Sequence, residues 1–179
     1  MKKKSDSMFL PALTYAGIII GVLIIHTIVI DILELYFSTY NNIAGTALPL
    51  VGVGLAIYGY RKEYKNNYIS YQKALGFGVL VSFFVALIMS VFSFIYTKYF
   101  NPELLEIGRR MAEERLIARG ISDDMIEQAM EQQKRFQTPF IMIISGTIML
   151  TLFGTIFSLI AAAFLKNEPK DPFTETEDE

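Results

Sequence analysis

The sequence predicts an all-α, polytopic membrane protein with four transmembrane helices and an extramembrane helical hairpin between spans three and four. Three observations carry this. Of the 179 residues, 53% are hydrophobic and only 19% charged, a balance too apolar for a soluble chain of this size. The apolar residues are gathered in long runs rather than spaced between polar ones. The runs at 9–30 and 74–96 each reach roughly 33 Å as a helix, enough to cross hydrocarbon.

Span one covers residues 9–30. Lys2, Lys3 and Lys4 precede it, and it ends without a small-x-small cleavage site, so it is read as an uncleaved first span rather than a secretory signal. Span two, 43–60, carries Pro49, Gly52 and Gly54, which weaken a helix but are tolerated in a bilayer where neighbours satisfy the freed backbone groups. The cluster Arg61-Lys62-Glu63-Tyr64-Lys65 stops it. Span three, 71–99, ends at Asn101-Pro102-Glu103, where Asn101 suits an N-cap and Pro102 the first helical position. Residues 101–137 form the one sizeable hydrophilic stretch. Their periodicity predicts helices over 102–119 and 122–136, broken at Gly120, with Met125, Ile126, Ala129, Met130, Gln133 and Phe136 as the apolar face of the second. Span four, 139–165, is followed by an acidic tail, 167–179, expected to be disordered. The whole of 1–179 reads as a single membrane domain.

Orientation follows from Lys and Arg. The N-terminal flank, the loop after span two and the flank after span four are basic, whereas the loop between spans one and two carries Asp31 and Glu34 and no cation. Both termini are therefore expected in the cytoplasm, although Lys98, Arg109, Arg110, Arg115, Arg119, Lys134 and Arg135 then lie outside, against the rule. Tyr36, Phe37, Tyr40, Tyr58, Tyr60, Tyr96, Tyr99 and Phe100 fit an interfacial aromatic belt.

Span three presents Ala74, Gly78, Ser82, Ala86 and Ser90 at every fourth residue. Span four presents Gly146, Gly154, Ser158 and Ala162, interrupted by Leu150. Such rows let helix backbones approach closely and gain contacts that lipid cannot match. Packing within the chain is the first reading and a dimer interface the second. Gly17 and Gly21 form a further small-xxx-small pair in span one. His26 is the intramembrane polar candidate: a proton relay or polar contact on one reading, a neutral imidazole bonded to a backbone carbonyl, Ser or Thr on the other.

Catalytic constellations are missing. A single His excludes an H-E-x-x-H zinc site, Cys is absent, and neither G-x-S-x-G nor a P-loop occurs. The loop carboxylates Glu113, Glu114, Asp123, Asp124, Glu127 and Glu131 alternate with Arg and Lys at helical spacing, which reads as a solvated, charge-balanced face. Leu55, Tyr58 and Arg61 match the loose sterol-contact pattern, which chance explains. No catalytic, cofactor or metal residue is assigned. A net charge of −2 without a basic stripe argues against nucleic acid. The partners expected are the lipid bilayer and a homo-oligomer or membrane-protein partner.

Four segments together carry a family likeness: Ile69-Ser70-Tyr71-Gln72-Lys73-Ala74-Leu75 entering span three, Tyr99-Phe100-Asn101-Pro102-Glu103 leaving it, Gly120-Ile121-Ser122 breaking the loop, and Ser158-Leu159-Ile160-Ala161-Ala162-Ala163-Phe164-Leu165-Lys166 at the end. With these the chain resembles the bacterial domain of unknown function 4199, small membrane proteins of Bacteroidota. The resemblance implies a four-span protein of the bacterial inner membrane and transfers no catalytic residue. The function expected is that of a non-enzymatic membrane protein whose outer helical loop is a partner or self-association surface. The alternative is a small oligomeric transporter or channel using His26 and the serines of spans three and four.

Overall fold

A computed structural model describes residues 7–136 and 138–168; the Lys2 to Lys4 flank and the tail beyond Glu168 lie outside them. The described residues form six helices: α1 (Phe9–Ile32), α2 (Thr39–Tyr64), α3 (Tyr71–Tyr99), α4 (Glu103–Ala118), α5 (Asp123–Phe136) and α6 (Pro139–Leu165). Among the described residues there is no strand, only an isolated bridge between Ile69 and Asn167. Helices α1, α2, α3 and α6, of 24, 26, 29 and 27 residues, are long and apolar enough to cross a membrane. At 1.5 Å per residue the shortest reaches about 36 Å, more than the roughly 30 Å of hydrocarbon. Their outer faces carry large apolar side chains such as Ile18, Leu55, Phe140 and Phe164, an arrangement stable against lipid and costly in water. The fold is an all-α, four-span membrane fold with a helical hairpin between spans three and four.

Several boundaries differ from expectation for local reasons. Span two begins at Thr39 because the Ser38 hydroxyl accepts the Asn41 backbone N–H at 3.1 Å, a side-chain cap that offsets the polar Asn41 and Asn42. It runs on to Tyr64, with Arg61 and Lys62 in its last turn where the helix dipole favours cations. In α4 Pro102, not Asn101, occupies the cap position. α1 ends at Ile32, and Glu34 turns the chain with φ +54°. Gly120, at φ +71°, breaks the loop as predicted, adopting a left-handed conformation that an L side chain resists.

Packing divides the chain into two compact units, Met1–Val85 with Leu150–Glu179, and Ala86–Met149. The first is built around Tyr60, whose ring stacks on Phe77 at 4.0 Å while Tyr15 meets Phe77 edge-on at 6.1 Å. Tyr60 is 2% exposed, so it belongs to the core rather than to the aromatic belt. Two ring contacts join α1 to α3, Phe9 with Phe84 and Tyr15 with Phe77. In the second unit Phe92, Tyr96 and Phe100 form an i, i+4 ladder along the end of α3, and Tyr96 too is buried. The hairpin α4–α5 centres on Ile126, the buried residue of α5; Met125 and Phe136, expected on the same apolar face, are exposed.

Candidate functional site

The small-residue rows of spans three and four come together as an antiparallel seam. In the first unit Gly78 of α3 faces Ser158 of α6, and Ser82 of α3 faces Gly154 of α6. As α3 advances by four residues α6 retreats by four, which is the register of i±4n rows laid against each other. In the second unit Ser90 of α3 faces Gly146 of α6. Each serine is thus set against a glycine of the other helix. A Cβ on Gly78 would lie 2.6 Å from the Ser158 Oγ, one on Gly146 2.9 Å from the Ser90 Oγ, and one on Gly154 would overlap Ser82. Glycine at these positions is required by the close approach of the backbones. Its Cα hydrogens then face a hydroxyl oxygen, the geometry of Cα–H···O contacts worth perhaps 0.5–1 kcal/mol each. Ala74 and Ala162 are fully buried in the first unit, and Ala86 in the second.

The seam hydroxyls are turned inward along their own helices. Ser82 donates to the Gly78 carbonyl at 2.8 Å and Ser158 to the Gly154 carbonyl at 2.7 Å. Ser145 and Thr147 likewise donate to the carbonyls of Ile141 and Ile143. The Ser90 hydroxyl is enclosed without a hydrogen-bond partner. At Ser82 and Ser158 the seam hydroxyls thus satisfy backbone carbonyls of their own helices.

Gly17 and Gly21 are placed differently: a Cβ on either would meet nothing within 4 Å. His26 is half-buried beside Tyr40 at the start of α2, with ring centroids 6.2 Å apart. Its Nε2 is enclosed and has no hydrogen-bond partner, so the backbone or hydroxyl bond anticipated for it is not made at that nitrogen. Among the described residues no group of three or more His, Asp and Glu lies close enough to hold a metal ion.

One polar feature escaped the sequence. Arg61 reaches from α2 to donate its Nη1 to the carbonyl of Leu165 at 2.9 Å, so a cation caps the negative end of α6. Its guanidinium lies 5.2 Å from the Tyr58 ring centroid, which accounts for two members of the sterol-like spacing as a local stack. Beside it Ile69 and Asn167 exchange backbone bonds at 2.8 and 2.9 Å, and the Asn167 amide donates to the Asn67 carbonyl at 2.8 Å. Only the interfacial position of both helix ends, known once four spans are accepted, could have pointed to this stitch.

No curated protein and no solved structure matches the chain. A family model described as "Protein of unknown function (DUF4199)" matches residues 14–167, which takes in all but the edges of the six-helix fold. The chain belongs to the DUF4199 family of membrane proteins.

Proposed function

We propose that this is a non-enzymatic membrane protein of the bacterial inner membrane, both termini cytoplasmic, whose α4–α5 hairpin is an association surface for a second copy or a membrane-protein partner. The observation that carries the reading is the hairpin itself. It buries Ile126 yet leaves Ile117, Met125 and Phe136 more than half exposed on a surface of alternating charge, the pattern of apolar anchors within a polar rim. The seam supports the same view, because its hydroxyls serve packing. Crosslinking and native mass spectrometry in mild detergent test it. Assemblies recovered with the wild type should be lost with Ile117→Asp/Met125→Asp; recovery of lone chains alone from the wild type would overturn it.

The second reading, a small oligomeric transporter or channel, draws on the partnerless His26 Nε2. Proton-linked flux into liposomes that falls with His26→Ala would favour it. Identical flux would remove His26 from any such path.

A further inference from the structure

Helix α5 has a side turned to α4 and a side turned away from it. Towards α4 it presents Ile126 and Met130, which line the cleft between the two helices with Arg109, Glu113 and Ile117 of α4. Roughly 100° round the helix from there runs a second stripe, Met125, Ala129, Gln132 and Phe136, spaced by four, three and four residues. Met125 and Phe136, at its two ends, are 60% and 55% exposed. The spacing reads the same in either direction. Two copies of α5 laid side by side and antiparallel therefore bring Met125 against Phe136 and Ala129 against Gln132, each contact made twice about an axis between Met130 and Glu131. A self-complementary contact of this kind closes at two chains.

The charges choose the antiparallel arrangement over a parallel one. Asp124 and Arg135 are both exposed and eleven residues apart, close to three whole turns, so they share one flank of the stripe. Antiparallel copies place each Asp124 beside an Arg135; parallel copies would set Asp124 against Asp124 and Arg135 against Arg135. Their places in the first and last turns also suit the dipole of α5 itself, but the dipole decides only the end each occupies, not the flank. Exposed ion pairs add little affinity and act mainly on orientation and partner choice. On the same flank a shallow depression is lined by Gln128, Glu131, Gln132, Arg135 and Phe136, where the antiparallel register delivers Met125 of the second copy. Copies in one membrane are related by an axis along its normal, so this pairing needs α5 to lie across that axis. Pro139 opens α6 and holds the residue before it out of the helical region, so α5 does not continue α6 as one rod.

We propose that two copies of this chain associate through antiparallel α5 helices, with Met125, Ala129, Gln132 and Phe136 as the contact stripe and Asp124–Arg135 pairs fixing its direction. This rests on the reading of the hairpin as an association surface and names its partner as a second copy.

The chain has no cysteine, so introduced cysteines report the contact. Two differently tagged copies of the full chain are reconstituted into the same vesicles and oxidised with copper phenanthroline. Met125→Cys mixed with Phe136→Cys should give disulfide-linked mixed dimers at several-fold the yield of either variant alone, whose cysteines would stand roughly 16 Å apart along the helices. Ala129→Cys mixed with Gln132→Cys is a second facing pair if the first variants fail to fold. In native mass spectrometry Asp124→Arg and Arg135→Asp should each lower the dimer fraction several-fold, and mixing the two variants should restore it, because each arginine then faces an aspartate. A change in the stability of α5 within one chain does not produce such rescue between chains. Self-linking of Met125→Cys equal to that of the mixture, absence of rescue, or mixed disulfides formed only between separately loaded vesicles would each overturn the pairing. Wild-type assemblies with none of these cross-links would remove the antiparallel pair and leave the hairpin reading standing, whereas lone chains alone would remove both.

Discussion

Glycine serves two different ends in this chain, and a substitution series separates them. At Gly154 a side chain would run into Ser82, while at Gly17 and Gly21 it would meet open space. Gly154→Val should therefore destabilise the spans by about 1–3 kcal/mol, the usual cost of overpacking, and Gly17→Val should leave the isolated chain within about 0.5 kcal/mol of wild type. Unfolding in mixed micelles of rising denaturing-detergent fraction measures both. The seam makes a sharper forecast: exchanging the pair, Gly154→Ser with Ser82→Gly, should recover most of what Gly154→Ser alone loses, because one small and one hydroxylated residue again face each other. Arg61 works through a single directed bond. Arg61→Gln removes the donor to Leu165 and the cation at the end of α6, a charged hydrogen bond worth about 1.5–3 kcal/mol when buried and less at a half-buried interfacial site. Faster amide exchange at Lys166 and Asn167, with the middle of α6 unchanged, is the expected signature.

At the scale of elements the hairpin α4–α5 stands on little buried surface, since Ile126 is the buried residue of α5 and α4 has none. Ile126→Asp places a charge where the apolar contact was, and should melt α5 while the four spans keep their helicity; a partial loss of far-UV circular dichroism with unchanged resistance to detergent unfolding would show this. Gly120→Ala should cost about 1 kcal/mol through its left-handed backbone. These elements also show what a sequence discloses. The spans were legible because lipid demands an unbroken apolar length, and the Gly120 break because a turn of that hand wants glycine. The α2 start at Thr39 was missed, since Asn41 and Asn42 look like a connection until the Ser38 cap is seen. The rows of small residues were visible on each helix. What periodicity could not supply was the partner, because Gly78 against Ser158 and Gly154 against Ser82 are relations between helices more than 70 positions apart. The apolar face assigned to α5 erred for a related reason: Met125 and Ile126 are adjacent in sequence, and which of them is buried is decided by where α4 lies.

For the molecule as a whole, insertion is governed by where the cations fall. The end of the first unit that gathers Arg61, Lys62, Lys65, Lys73 and Lys166 faces a connection at 33–38 with no Lys or Arg, and Lys and Arg close to span ends dominate orientation. That asymmetry favours the proposed orientation, with the loop at 65–70 in the cytoplasm. The basic residues of α4 and α5 pull the other way: Arg109 and Arg110 lie close after Tyr99, and Lys134 and Arg135 just before Pro139. A reporter fused after Asn67 should accordingly report the cytoplasm, and one inserted at Gly120 the opposite side. The charge argument can be pressed further by reversing its premise. With Arg61, Lys62 and Lys65 changed to Gln, and Leu33 and Leu35 changed to Lys, the balance across α2 is inverted. A substantial share of the chains should then carry the loop at 65–70 outside, read as loss of signal from the first reporter and its gain with one active only across the membrane. If both reporters held their wild-type values in that variant, orientation would have to come from α1 and the residues before it.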